Sequence, residues 1–166
     1  MISLKIIDIK AFMSSLLVQN VFDNFLLSEL QIKTFNHFQI SGNINEEYFS
    51  NEELEKLEGR KYSTWGEIKP VAYSLIKGNK LPLSIKIILL LSLPNVENTL
   101  RKSGAAVPLI DINGLYLNIR FDKGSLLLIT GTSIKSFSMD KTLERAWDED
   151  LKKFLKYYEI AAEEEK

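Results

Sequence analysis

The feature that most constrains this chain is a thirteen-residue apolar run, LPLSIKIILLLSL at 81–93, followed directly by Pro94. It is too short to cross a bilayer as a helix, which takes about 20 apolar residues, and Lys86 lies inside it. Read with period two, Leu83, Ile85, Ile87, Leu89, Leu91 and Leu93 fill one face. Ser84, Lys86, Ile88, Leu90 and Ser92 fill the other. One dry face and one half-wet face describe a strand of an antiparallel sheet better than one covered on both sides.

The surrounding sequence supplies the rest of such a sheet. Residues 25–33 and 37–43 alternate as strands around a turn at 34–36. Residues 107–112 and 115–121 flank Asn113-Gly114, which predicts a two-residue hairpin turn. Asp122-Lys123-Gly124 predicts a three-residue loop into a strand over 125–132. Helical stripes alternate with these segments only at wide spacing. Asp8 caps a stripe of Ile9, Phe12, Met13, Leu16 and Leu17, and Ser50 with Glu53 forms a capping box. Ile68, Val71, Ala72, Leu75 and Ile76 mark a helix ending at Gly78. Thr64 and Glu67 also match a capping box, but a start there would put Pro70 inside the helix, so a later start is expected. Pro94 opens a helix that Gly104 closes, and a last helix begins near Asp140. Its apolar face runs through Leu143, Trp147, Leu151, Phe154, Leu155 and Tyr158. Strands cluster in hairpins, so the expected fold is α+β: a mainly antiparallel sheet of about six or seven strands with about five helices. One globular domain is expected over 1–162, with a frayed acidic tail at 163–166.

Composition narrows the chemistry. The 166 residues include no cysteine and one histidine, which removes disulfides and thiol catalysis and nearly excludes a zinc site. Net charge is −1, so the molecule as a whole has no strong pull on nucleic acid or membrane. Lys5 and Asp8 interrupt the stretch where a signal peptide would be apolar, which points to a cytoplasmic setting. His37 reads as a surface side chain. Gly131-Thr132-Ser133 lacks the spacing of a phosphate loop, and Gly131 reads as a bulge or strand end. Two S-x-x-K matches, at Ser74 and Ser138, lack the companion motifs of the penicillin-binding pattern. Neither a metal nor an organic cofactor is implied.

Two polar surfaces remain as candidates. With Phe121 opposite Ser125, the register puts Leu127 and Ile129 on the dry face. Tyr116, Asn118 and Arg120 then stand beside Leu126, Leu128, Thr130 and Thr132. A guanidinium, an amide and a phenol together suit a ligand bearing a carboxylate or phosphate, although a solvated or helix-covered face is the simpler account of them. The second surface gathers Lys69, Tyr73, Lys77, Lys80 and Lys86, for a phosphate-rich partner such as a nucleotide or RNA, or as an ordinary solvated face.

The blocks TWGEIKPVAYSLIKGNKLPLSIKI (64–87) and LNIRFDKGSLLLITGTSIKSFSMDKTLERAWDE (117–149) resemble a family of small uncharacterised proteins of clostridial-type Gram-positive bacteria. The resemblance implies a bacterial cytosolic setting and carries no functional residue. The expected function is a non-enzymatic binding or interaction domain for an anionic ligand or partner. The alternatives are a small enzyme acting on an anionic substrate, or a structural subunit, such as a homodimer, docking through its C-terminal helix.

Overall fold

Among the described residues, seven strands form one antiparallel sheet in the order β3-β2-β4-β5-β6-β1-β7. A computed structural model describes residues 1–78 and 80–166. The strands are β1 (Ser3–Ile6), β2 (Leu26–Lys33), β3 (His37–Ser41), β4 (Ser84–Leu90), β5 (Ile112–Asp122), β6 (Ser125–Ile134) and β7 (Ala162–Glu164). The helices are α1 (Ile9–Leu17), α2 (Asn51–Lys56), α3 (Trp65–Ile76), α4 (Leu93–Ser103) and α5 (Thr142–Tyr157). The fold is α+β, as the clustering of strands predicts. Helices α1, α3 and α5 pack on one face of the sheet, around a core that includes Phe12, Leu27, Ile87, Leu117 and Leu151.

The apolar run yields a shorter strand than its length suggests. Ile85, Ile87 and Leu89 are buried on the dry face of β4, but Leu83 precedes the strand and is 70% exposed. Ser92 caps α4, so Leu93 belongs to the helix, with Pro94 in its first turn and Gly104 closing it at φ +70°. The run thus loses its last three residues, 91–93, at the Pro94 end of the strand.

Two turn expectations are corrected. Asn113-Gly114 is not a hairpin turn. It lies inside β5, at a bulge opposite Ser133 and Ile134. Neither residue has the positive φ that the tight hairpin turn requires. Gly114 serves close packing instead: a Cβ there would stand 2.7 Å from Leu90 Cδ2. The actual turn is Lys123-Gly124, at φ +50° and +75°, with Asp122 paired to Ser125. The loop therefore has two residues, not three. That shift by one residue moves every side chain of β6 to the opposite face. Leu126 and Leu128 are in the core, and Leu127 and Ile129 stand on the open face.

Helix α3 starts at the earlier capping box after all. The Thr64 N–H donates to Glu67 Oε1 at 2.8 Å, and the Glu67 N–H donates to Thr64 Oγ1 at 3.2 Å. Pro70 sits inside the helix, exposed, and leaves the Gly66 carbonyl without its intrahelical partner. Trp65 explains why. Its ring is fully buried, and its indole N–H donates to the Leu16 carbonyl at 2.8 Å. Losing a buried Trp costs about 3–5 kcal/mol and losing a cap about 1 kcal/mol. Together these exceed the roughly 3 kcal/mol of an internal proline. Starting early also turns the stripe: Ala72 is buried and Val71 is 48% exposed.

The segment expected to fray is partly a strand. Glu163 and Glu164 pair with Lys5 and Leu4, Glu164 meets Lys152 at 3.1 Å, and the Glu165 N–H donates to the Ser3 carbonyl.

Pro70→Ala should raise stability by about 1–2 kcal/mol, the helix gain less the added freedom of the unfolded chain. Urea unfolding measures it. A second outcome concerns Glu67. The Arg60 guanidinium, 2.5 Å away, holds its carboxyl below the usual carboxylate range. The folded state thus favours the charged form, so this contribution is complete above the ordinary carboxylate pKa and disappears as pH falls through the lowered one. Thermal melts of the wild type and Glu67→Gln should differ most near neutral pH and converge only once the pH has fallen below that lowered pKa.

Candidate functional site

The face of the sheet turned away from α1, α3 and α5 carries one continuous row of cross-strand neighbours. From β3 to β7 it reads Gln39, Gln31, Lys86, Arg120, Leu127, Lys5 and Glu163. Each step is a direct pairing, so successive Cβ atoms stand about 4.5–5.5 Å apart. Lys86 and Arg120 are therefore immediate neighbours of like charge. Among the described residues neither has an ion-pair or side-chain hydrogen-bond partner. The next row on this face is His37, Lys33, Ser84, Asp122 and Ser125. The two rows line a shallow groove of about 220 Å³ that holds three cationic side chains, Lys33, Lys86 and Arg120, against one carboxylate, Asp122.

The local sequence explains this placement. Glu29, Gln31 and Lys33 alternate with Leu30 and Ile32 on β2, which are buried, so the polar set faces outward. Lys86 alternates with buried Ile85 and Ile87, and Arg120 with buried Ile119 and Phe121. The charge is thus fixed on the open face by the burial of its neighbours. Lys86 is half-buried and Arg120 exposed.

Tyr116, Asn118 and Arg120 do share this face, but among the described residues the Asn118 side chain is engaged and Tyr116 lies apart from Arg120. The Asn118 amide donates to the Ile129 carbonyl at 3.2 Å. The Tyr116 ring lies toward Gly114, away from Arg120, at the end of the face beside a separate, mainly apolar groove of about 690 Å³. That groove runs between residues 56–62 and the start of α4. Burial pushes the Tyr116 phenol up, with Tyr62 nearby adding to the shift, so it stays protonated at neutral pH.

The lysines of the second candidate surface separate. Lys69 Nζ is held by both Asp23 carboxylate oxygens, at 2.8 and 3.0 Å, and by the Gln19 carbonyl. Lys77 caps α3, on the helix-bearing side of the sheet. Neither Lys77 nor Lys80 lines the groove over Arg120. Lys86 alone of that set joins Arg120. Lys5, Lys33 and Gln31 are the neighbours that sequence reasoning missed. Their outward phase was readable on each strand, but which strands lie side by side was not.

Most of the apolar stripe of α5 is taken up by the protein itself. Leu143, Trp147, Leu151 and Leu155 are each at most 3% exposed and belong to the core, whereas Phe154 is half-buried and Tyr158 is 41% exposed. Among the described residues, no group of three or more His, Asp or Glu is placed to hold a metal ion, and no helix is long and apolar enough to cross a membrane.

The like-charge pair makes a measurable demand on stability. Directly opposed like charges on a sheet cost on the order of 0.2–1 kcal/mol. Lys86→Gln should therefore raise the thermal midpoint slightly at low ionic strength, and the gain should shrink as salt is added. A lowered midpoint would show that Lys86 is held by interactions other than those described.

A protein family described as a family of unknown function, DUF5721, matches residues 15–163. No curated protein and no solved structure matches the chain.

Proposed function

We propose that this chain, which belongs to the DUF5721 family of unknown function, is a binding domain that takes an anionic ligand on the open face of its sheet. Arg120 and Lys86 are the central contacts, with Lys33 beside them. One observation carries this reading: two cations are placed directly opposite each other on adjacent strands with no acidic partner among the described residues. Such a pair costs stability in the free protein, and a phosphate or carboxylate between the two side chains relieves that cost. Arg120 can hold either group through two parallel hydrogen bonds, and Lys86 adds a point charge. The open shape of the face supports recognition over catalysis, because nothing there excludes water from a reacting group. The setting we assign is the bacterial cytosol, where phosphorylated metabolites and nucleic acids are both available. Of the residues singled out on sequence, Asn118 and Tyr116 contribute shape here rather than charge, and Lys77 and Lys80 lie outside the site.

The test is calorimetric titration at low salt with pyrophosphate, ATP, citrate and a short RNA. At least one should bind, more weakly as salt rises, as contacts between charged groups require. Arg120→Ala and Lys86→Ala should each weaken that binding by about tenfold, the loss expected for one charge-assisted contact. Lys77→Ala and Lys80→Ala should leave it unchanged. No binding by any of the four, or binding indifferent to Arg120 and Lys86, overturns the reading.

A further inference from the structure

A further concavity lies on the helix-bearing side of the sheet, between α4, α5 and the segment that follows α1. It is a crevice of about 250 Å³, and its lining combines two kinds of side chain. Its walls are aromatic: Phe25, Phe154 and Tyr158 form a packed series, with Phe25 and Phe154 edge to face at 5.6 Å and Phe154 and Tyr158 at 4.8 Å. Its polar groups are the amides of Asn24, Asn95 and Asn98 and the carboxylate of Asp150.

The polar groups are oriented in advance. Asn98 Oδ1 accepts from Arg101 at 2.7 Å, which leaves its amide N–H groups to donate. Asn95 Nδ2 donates to Ser92 Oγ at 3.0 Å, which leaves its carbonyl oxygen to accept. Asp150 Oδ2 accepts from the buried Thr99 hydroxyl at 2.7 Å, and Oδ1 lies 4.0 Å from Lys102. The carboxylate is therefore both anchored and partly compensated, so the crevice does not call for a strongly charged ligand. It offers an amide donor and an amide acceptor beside tilted aromatic side chains.

We infer that this crevice is a binding site for an uncharged nucleobase or nucleoside. A flat heteroaromatic ring satisfies both halves of the lining at once: its faces stack on aromatic side chains, and its edge presents the adjacent donors and acceptors that asparagine amides pair with. An aliphatic ligand would leave the amides without partners, at a cost for each. The volume is below the roughly 300–1,000 Å³ of sites for drug-sized molecules, so it suits one base rather than an oligomer. None of these residues faces the Arg120 groove, and the inference does not rest on the anion reading.

The probes are free adenosine, guanosine, cytidine and uridine, with glucose as a polar non-aromatic control, followed by saturation-transfer NMR and by tryptophan fluorescence, since Trp147 lines the crevice. Being uncharged, the nucleosides do not engage the cationic row, so Arg120→Ala should leave their binding intact. At least one nucleoside should saturate, and glucose should not. Asn98→Ala and Asn95→Ala should each weaken that nucleoside by about fivefold to tenfold, as expected for one lost hydrogen bond. Asn98→Leu, which fills the crevice, should abolish binding while the thermal midpoint shows the protein still folded. No saturable response from any nucleoside up to about 10 mM overturns the inference. So does equal binding of glucose, or binding that the Asn98 and Asn95 variants do not change.

Discussion

A two-residue turn sets the parity of this sheet. Lys123 and Gly124 both take positive φ, and Asp122 is thereby paired with Ser125. From that pairing follow Arg120 opposite Leu127, Ile119 opposite Leu128 and Leu117 opposite Thr130. Had the loop held one residue more, Leu126 and Leu128 would have left the core for the open face. Leu126 and Leu128 are both at 0% exposure, and in the alternative register Leu127 and Ile129 would take their places in the core. The helices that cover the dry face rest on this choice.

The α+β class and the antiparallel sheet were legible because each strand announces its phase by alternation and the strands occur in runs. The caps at Asp8, Ser50 and Gly104 were legible for a similar reason: they are local devices with local signatures. What escaped the sequence were competitions between a local signal and a distant contact. Asn113-Gly114 carries the composition of a turn, yet its glycine is there because Leu90 from the neighbouring strand comes too close for a Cβ. Pro70 argues against an early helix start, yet a tryptophan five residues before it finds a buried carbonyl on α1. The acidic tail is polar enough to fray, yet β1 offers it an unpaired edge.

The candidate site divides along the same line. That Lys86 and Arg120 each face away from the core can be read from their flanking isoleucines and phenylalanine. That they face each other depends on β4 pairing with β5 in one register out of several, which alternation alone does not select. The crevice between α4 and α5 was out of reach for the same cause. Asn95 and Asn98 sit at helix positions whose composition is that of any solvated surface, and the packing of α4 on α5 brings them beside the aromatic side chains.

The short strand β7 has a consequence for how the sheet ends. A bare β1 would offer a row of unpaired N–H and C=O groups to any passing strand. β7 covers that row and replaces it with a three-residue border, followed by one further acidic residue, Glu165. Glu163 and Glu164 sit in this border, with Glu164 tied to Lys152 and Glu165 to the Ser3 hydroxyl. A second copy approaching this border would bring its own glutamates against these. The sheet is thus capped by a segment too short and too negative to template its own extension, a safeguard against edge-to-edge aggregation.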